Sequence, residues 1–229
     1  MKGIIISIEG TDGAGKHTQQ QLLLKALEEK GYKVFAQSLP NYDSDSSAPV
    51  KMYLSGQFGS DPKCLDAYEA SILYAVDRLC THKKTIAEHY DKGEIILFDR
   101  YVQSNFIHHS TKISNPDERK DYIDYMCDLE FNKLKLPKPD LVFFIEMPVL
   151  KSLELARARA EYKTGETKDI HEEDTNYMCA AYDNGINLAK SFGWNIVHCV
   201  DADDNIRSIE DIHNEIMSRV ESYLKNINK

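Results

Sequence analysis

No two cysteines of this chain stand close enough to form a CxxC pair. The five present, Cys64, Cys80, Cys127, Cys179 and Cys199, are scattered and odd in number. That excludes a paired-cysteine redox or zinc motif and argues against a disulfide framework, so they read as buried, reduced thiols. There is no apolar run of membrane-spanning length, and no leader pattern precedes the first apolar segment. The expectation is a soluble, cytoplasmic protein with no membrane partner. Net positive charge is also lacking: 37 Asp and Glu outnumber 28 Lys and Arg, and the formal net charge of −9 leaves no general basic surface for a nucleic-acid backbone. Internal repeats, low-complexity tracts and linkers are absent. At 229 residues the chain fits one domain, 1–229, of ordinary size for an α/β protein.

What the chain does have is Gly10-Thr11-Asp12-Gly13-Ala14-Gly15-Lys16-His17-Thr18. It follows the apolar run Ile4-Ile5-Ile6-Ser7-Ile8 and leads into a helical pattern at Gln19 to Glu29. Strand, glycine-rich loop and helix, in that order, form the setting of a phosphate-binding loop. The glycines let the backbone turn its N–H groups onto an anion, and the helix behind adds the positive end of its dipole. Gly10, Gly13, Ala14, Gly15, Lys16, His17 and Thr18 are therefore the candidate ATP-binding residues, with Lys16 reaching the β- and γ-phosphates. His17 occupies the place where a hydroxyl residue usually ligates Mg²⁺. The competing reading, a glycine-rich turn that merely joins a strand to a helix, does not account for the lysine and the flanking elements together.

Further strands are predicted at Val34 to Ser38, Ile95 to Phe98, Leu141 to Ile145 and Trp194 to Val200. Helices are predicted at Pro49 to Leu54, Asp66 to Tyr90, Asp117 to Leu134, Pro148 to Ala160, Asp174 to Ser191 and Ser208 to Lys225. Continuous apolar strands alternating with helices imply a three-layer α/β/α fold: a five-stranded parallel sheet flanked by helices, with ligands outside the carboxyl ends of the strands. The charged stretch from Glu161 to Glu173 reads as a mobile loop, part of a short lid at roughly 157–173.

Asp99 ends a buried strand facing the phosphate loop, where a carboxylate holds Mg²⁺ directly or through water. Arg100 beside it is a fork suited to a phosphate. Tyr74 and Arg78 lie four residues apart and share one helix face; on spacing alone, a core tyrosine with a surface arginine is favoured over a nucleotide-binding pair. Arg157 and Arg159 lead into the lid. A lid arginine would compensate charge on a transferred phosphoryl group, although sequence alone favours a solvated basic turn.

Six segments, in order and spacing, make the chain resemble the thymidylate kinase family. They are Glu9 to Lys16, Leu39-Pro40-Asn41-Tyr42, Leu73 to Arg78, Asp99 to Asn105, Leu136 to Asp140, and a charged stretch ending Asp169-Ile170-His171-Glu172. The resemblance implies phosphoryl transfer from ATP·Mg²⁺ to dTMP. It implies that Asp12 approaches the acceptor sugar 3′-hydroxyl and the metal region, that Tyr74 stacks on the pyrimidine, and that Arg78 and Arg100 clamp the acceptor phosphate. Asn105 would meet the thymine edge. Asp12 and Asp99 would serve the metal. Because Ala14 stands where other members carry a phosphate-loop arginine, the lid would supply that charge from Arg157 or Arg159. The family also commonly forms homodimers.

Three positions depart from the family pattern around the acceptor. Tyr42 takes the place of an arginine, His108 that of a tyrosine packing on the deoxyribose, and His109 that of a polar neighbour. The candidate acceptor residues are thus Asp12, Tyr42, Tyr74, Arg78, Arg100, Asn105 and His108. Two alternatives stay open: a kinase of this fold with another acceptor (dUMP, a modified pyrimidine nucleotide or a nucleoside), and a non-catalytic nucleotide binder. No Asn-Lys-x-Asp guanine motif supports a GTPase.

Overall fold

In the computed structural model, the described residues are 2–59, 61, 63–160 and 175–227, with backbone alone for 156–160. Five strands, β1 (Ile4–Glu9), β2 (Val34–Ser38), β3 (Ile95–Asp99), β4 (Leu141–Glu146) and β5 (Asn195–His198), form one sheet in the order β2-β3-β1-β4-β5. Every pairing is parallel, and the register sets Ile6 of β1 between Leu97 and Leu141. The helices are α1 (Lys16–Glu29), α2 (Ala48–Leu54), α3 (Ala67–Thr81), α4 (Ala87–Asp91), α5 (Gln103–His109), α6 (Pro116–Cys127), α7 (Val149–Ala160), α8 (Thr175–Phe192) and α9 (Ile209–Ile227).

Successive strand residues point to opposite faces, so the apolar run of β1 serves two cores. Ile5 packs with Ile96, Phe98 and Phe144 against Phe106, Ile107 and Tyr122. Ile6 and Ile8 pack with Leu97, Phe143 and Ile145 against Leu23, Leu27, Ile212 and Ile216. The continuous hydrophobicity of these strands follows from burial on both faces. Helix α8 lies so close to the sheet at Gly185 that an added Cβ would stand 2.5 Å from the Phe144 ring.

Several elements differ from their sequence-based bounds. Helix α1 starts at Lys16, because Gly15, at φ 90°, closes the loop directly into the first turn. The long helix expected from Asp66 runs as α3, a π-helical turn at His82–Ile86, then α4. A second π-helical turn, Asp128–Lys133, continues α6. Helix α5 has no sequence-based counterpart. Five of its seven residues are buried, so it carries no amphipathic period to detect. All five cysteines are free as expected, but only Cys199 is buried; Cys80 and Cys179 are exposed. No helix of the described residues is long and apolar enough to cross a membrane.

Candidate active site

The loop between β1 and α1 wraps the carboxyl end of the central strand. Gly13 is at φ 78°, and a Cβ there would stand 2.6 Å from the Ser152 carbonyl oxygen, so both the turn and the neighbouring α7 require glycine. Lys16 is buried at the first helical position, and its Nζ donates to the Thr11 carbonyl at 2.8 Å. Burial, and then the Arg100 charge, push its pKa down to about 8 despite Asp12 and Asp99 nearby. His17 is exposed, with Nδ1 3.8 Å from Asp99 Oδ2. Gly10 and Ala14 complete the loop, and Thr18 lies in the first turn of α1.

Beside this loop opens a cleft that is partly open to solvent. Its walls include Asp12, Tyr42, Tyr74, Arg78, Arg100, Asn105 and His108. The seven candidate acceptor residues, spread from position 12 to position 108, therefore meet in one place. Tyr42 is half exposed at the rim. Asn41, beside it, donates its backbone N–H to Asp77 Oδ2 at 2.8 Å, and Ser46 Oγ donates to Asp77 Oδ1 at 2.6 Å. The buried Asp77 thus fastens the segment after β2 to α3.

Arg100 joins the loop to the cleft. Its Nη2 donates to Asp12 Oδ1. Its Nη1 lies 3.2 Å from the Gly10 carbonyl, 3.2 Å from Ser104 Oγ and 3.1 Å from His108 Nε2. A guanidinium only donates, so His108 Nε2 accepts and carries no proton in this arrangement. Burial works against ionisation of Asp12, but Arg100 and Lys16 outweigh it and hold the carboxyl well below the usual range. The His108 ring also stacks on Tyr177 of α8, with centroids 6.1 Å apart.

Arg78 reverses the sequence-based preference for a surface arginine: it is 3% exposed, whereas Tyr74 is half-buried. Its partner is Glu130, 0% exposed, which accepts from Nη2 at 2.6 Å and from Nε at 3.2 and 3.1 Å. The π-helical turn swings Glu130 inward to make this pair. Asn105, on α5, is buried and donates through Nδ2 to the Ser71 carbonyl at 3.4 Å. Tyr74 meets the ring of His109 at 5.1 Å. The side chains of Arg157 and Arg159, and the lid residues 161–173, lie outside the described residues.

Sequence reasoning gave no role to Glu9, Ser104, Glu130 or Tyr177, all of which support these groups. Local signals exist for two of them. Glu9 is an acid ending a buried apolar run, and Glu130 is an acid set between Leu129 and Phe131.

A phosphate loop at the end of the central parallel strand, with an arginine-bearing cleft opening against it, defines a phosphate-loop kinase. Such a site sets a nucleoside triphosphate against a second small molecule. A family model described as thymidylate kinase matches residues 8–216, and the chain belongs to the thymidylate kinase family. A protein of Thermococcus gammatolerans named "Probable thymidylate kinase" is 30% identical over 221 residues, 96% of each chain. The thymidylate kinase of Mycobacterium tuberculosis is 29% identical over 174 residues, 75% of this chain and 78% of its own. Among solved structures, the thymidylate kinase of Candida albicans matches with a TM-score of 0.70 at 20% identity, covering 97% of this chain and 92% of its own; this is a likeness of fold.

Proposed function

We propose that this chain, as a single kinase domain, transfers the γ-phosphoryl group of ATP to dTMP, giving dTDP and ADP. The observation that carries the reading is Arg100, which contacts the phosphate loop at Gly10 and Asp12 and the acceptor cleft at Ser104 and His108. An oxygen of the acceptor phosphate attacks the γ-phosphorus as its bond to the ADP oxygen breaks. No side-chain nucleophile is needed, because positioning and charge compensation supply the catalysis.

In this reading, backbone N–H groups from Gly10 to Thr18 and the Lys16 ammonium hold the donor phosphates. Arg100 takes the acceptor phosphate, Tyr74 stacks on the pyrimidine, Asn105 meets the base edge, Asp12 faces the sugar 3′-hydroxyl, and His108 and Tyr42 close the cleft. Arg78 was expected to share the phosphate. Glu130 already meets its charge, which suits Arg78 to donating to a neutral group of the acceptor instead. Arg157 or Arg159 would cover the transfer from the lid.

The donor set fits Mg²⁺. Asp99 offers a carboxylate oxygen facing the loop, and nucleotide phosphates and water would complete an oxygen shell; Asp12 is a further oxygen, tied to Arg100. When bound, the ion neutralises charge on the β- and γ-phosphates. Among the described residues, no group of three or more His, Cys, Asp or Glu side chains could hold a metal.

A cytoplasmic location and small-molecule nucleotides as the only ligands, without nucleic acid or membrane, accompany this reading. A second copy of the chain is the proposed partner. Tyr68, Ile72 and Val76, four residues apart on α3, are exposed beside Tyr125, and such a stripe suits a homodimer. Light scattering on wild type and Val76→Glu tests this. Chromatography of nucleotides after incubation with ATP, Mg²⁺ and dTMP tests the reaction. Equimolar dTDP and ADP are expected; retained ATP binding without ADP would leave a non-catalytic binder.

A further inference from the structure

Glu9 is 0% exposed and lies at the carboxyl end of β1, next to the first glycine of the phosphate loop. Its Oε1 accepts from the Tyr101 backbone N–H at 2.8 Å, and its Oε2 from Ser104 Oγ at 2.6 Å. Both contacts fall just after Arg100, which sits at φ 67°, a left-handed conformation uncommon for a residue with a side chain. The Arg100 backbone N–H is in turn held by the Ile8 carbonyl at 3.0 Å. The same Ser104 hydroxyl that donates to Glu9 accepts from Arg100 Nη1. One carboxylate therefore fixes the residue after Arg100 and, through Ser104, the guanidinium itself.

We infer that Glu9 is a positioning residue for the acceptor phosphate: with Ser104 it holds the Arg100 turn and guanidinium at a set distance from the phosphate loop. The ionised form suits the task, since both neighbours donate and a carboxylate accepts on both oxygens. Burial pushes its pKa upward, against the pull of Ser104 and Arg100. A glutamine at this position would keep the shape, but its amide N–H₂ would face the Ser104 hydroxyl and force it to turn away from its present bond.

The inference rests on Arg100 binding the acceptor phosphate, and the test separates the two. Steady-state KM values for ATP and for dTMP are measured in wild type, Glu9→Gln, Ser104→Ala, the double variant and Arg100→Ala, with melting temperatures alongside. Loss of the Glu9 acceptor for Ser104 should raise the dTMP KM about tenfold in Glu9→Gln, and less in Ser104→Ala. In both, the ATP KM should stay within about twofold. The double variant should be no worse than Glu9→Gln, because both substitutions cut one chain. Parallel changes in the two KM values, or multiplying effects in the double variant, would overturn the inference. So would an unchanged dTMP KM in Ser104→Ala, the variant that decides the matter if Glu9→Gln does not fold. If Arg100→Ala raises the dTMP KM while the others do not, the inference alone fails. If Arg100→Ala leaves it unchanged, the reading of Arg100 fails, and the inference with it.

Discussion

The two halves of the proposed site are built differently. The donor half is a single run of backbone, residues 10–18, whose shape is set by glycines and by the start of α1. The acceptor half is assembled from Asp12, Arg100 and side chains of α3, α5, α8 and the segment after β2, and is held by buried polar pairs such as Arg78 with Glu130 of the π-helical turn after α6. Backbone N–H groups bind any triphosphate of suitable length, whereas a constellation of side chains can be altered one residue at a time. The substitutions Tyr42, His108 and His109 all lie on the acceptor half, where the same reaction can be tuned without rebuilding the loop.

That division is most severely tested by Lys16→Ala. Removing the one buried cation of the loop should lower kcat by about 10²–10³-fold, while dTMP binding, measured by calorimetry without ATP, stays close to wild type. A comparable loss of dTMP affinity would mean that the halves are not separable. On the acceptor side, Glu130→Gln leaves the Arg78 charge buried and uncompensated. Chemical denaturation should show a loss of about 3 kcal/mol, with dTMP affinity falling more than ATP affinity. Stability equal to wild type would deny the pair its structural part.

A pH titration sharpens the contrast. Lys16, with its pKa pushed down to about 8 by burial and Arg100, can fill its proposed role on the donor phosphates only when protonated. kcat/KM for ATP should therefore fall as pH rises through that value, by about tenfold per unit once the ammonium is lost. Asp12, held ionised by Arg100 and Lys16, should add no acidic limb in the neutral range. A flat profile from pH 7 to 10 would contradict the placement of Lys16. The smallest effect is expected from His108→Phe, which removes one acceptor for Arg100 Nη1. It should raise the dTMP KM about 2–10-fold and leave the ATP KM in place.

Much of the fold was legible because strands buried on both faces appear as unbroken apolar runs, Ile95 to Phe98 being an example. The donor loop was legible because all its determinants are contiguous. The acceptor half was read through resemblance and not through pattern. Arg78 looked like a surface residue because its partner Glu130 lies 52 positions away, in a turn whose π geometry no local periodicity signals. Asn105 and His108 lay in a stretch given no element, because the short helix α5 is buried on most sides. Glu9 stood in the quoted motif without a role, since its partners Tyr101 and Ser104 are reached only after the chain has crossed the sheet to β3.

The most direct test of the central claim is kcat/KM for dTMP, dUMP, UMP, dCMP and AMP, each offered with the same ATP·Mg²⁺. The expected result is strong preference for dTMP with an ATP KM that does not change with the acceptor, as separate donor and acceptor halves require. Equal turnover of all five, or ADP release that ignores the acceptor, would contradict an acceptor site built for a pyrimidine deoxynucleotide.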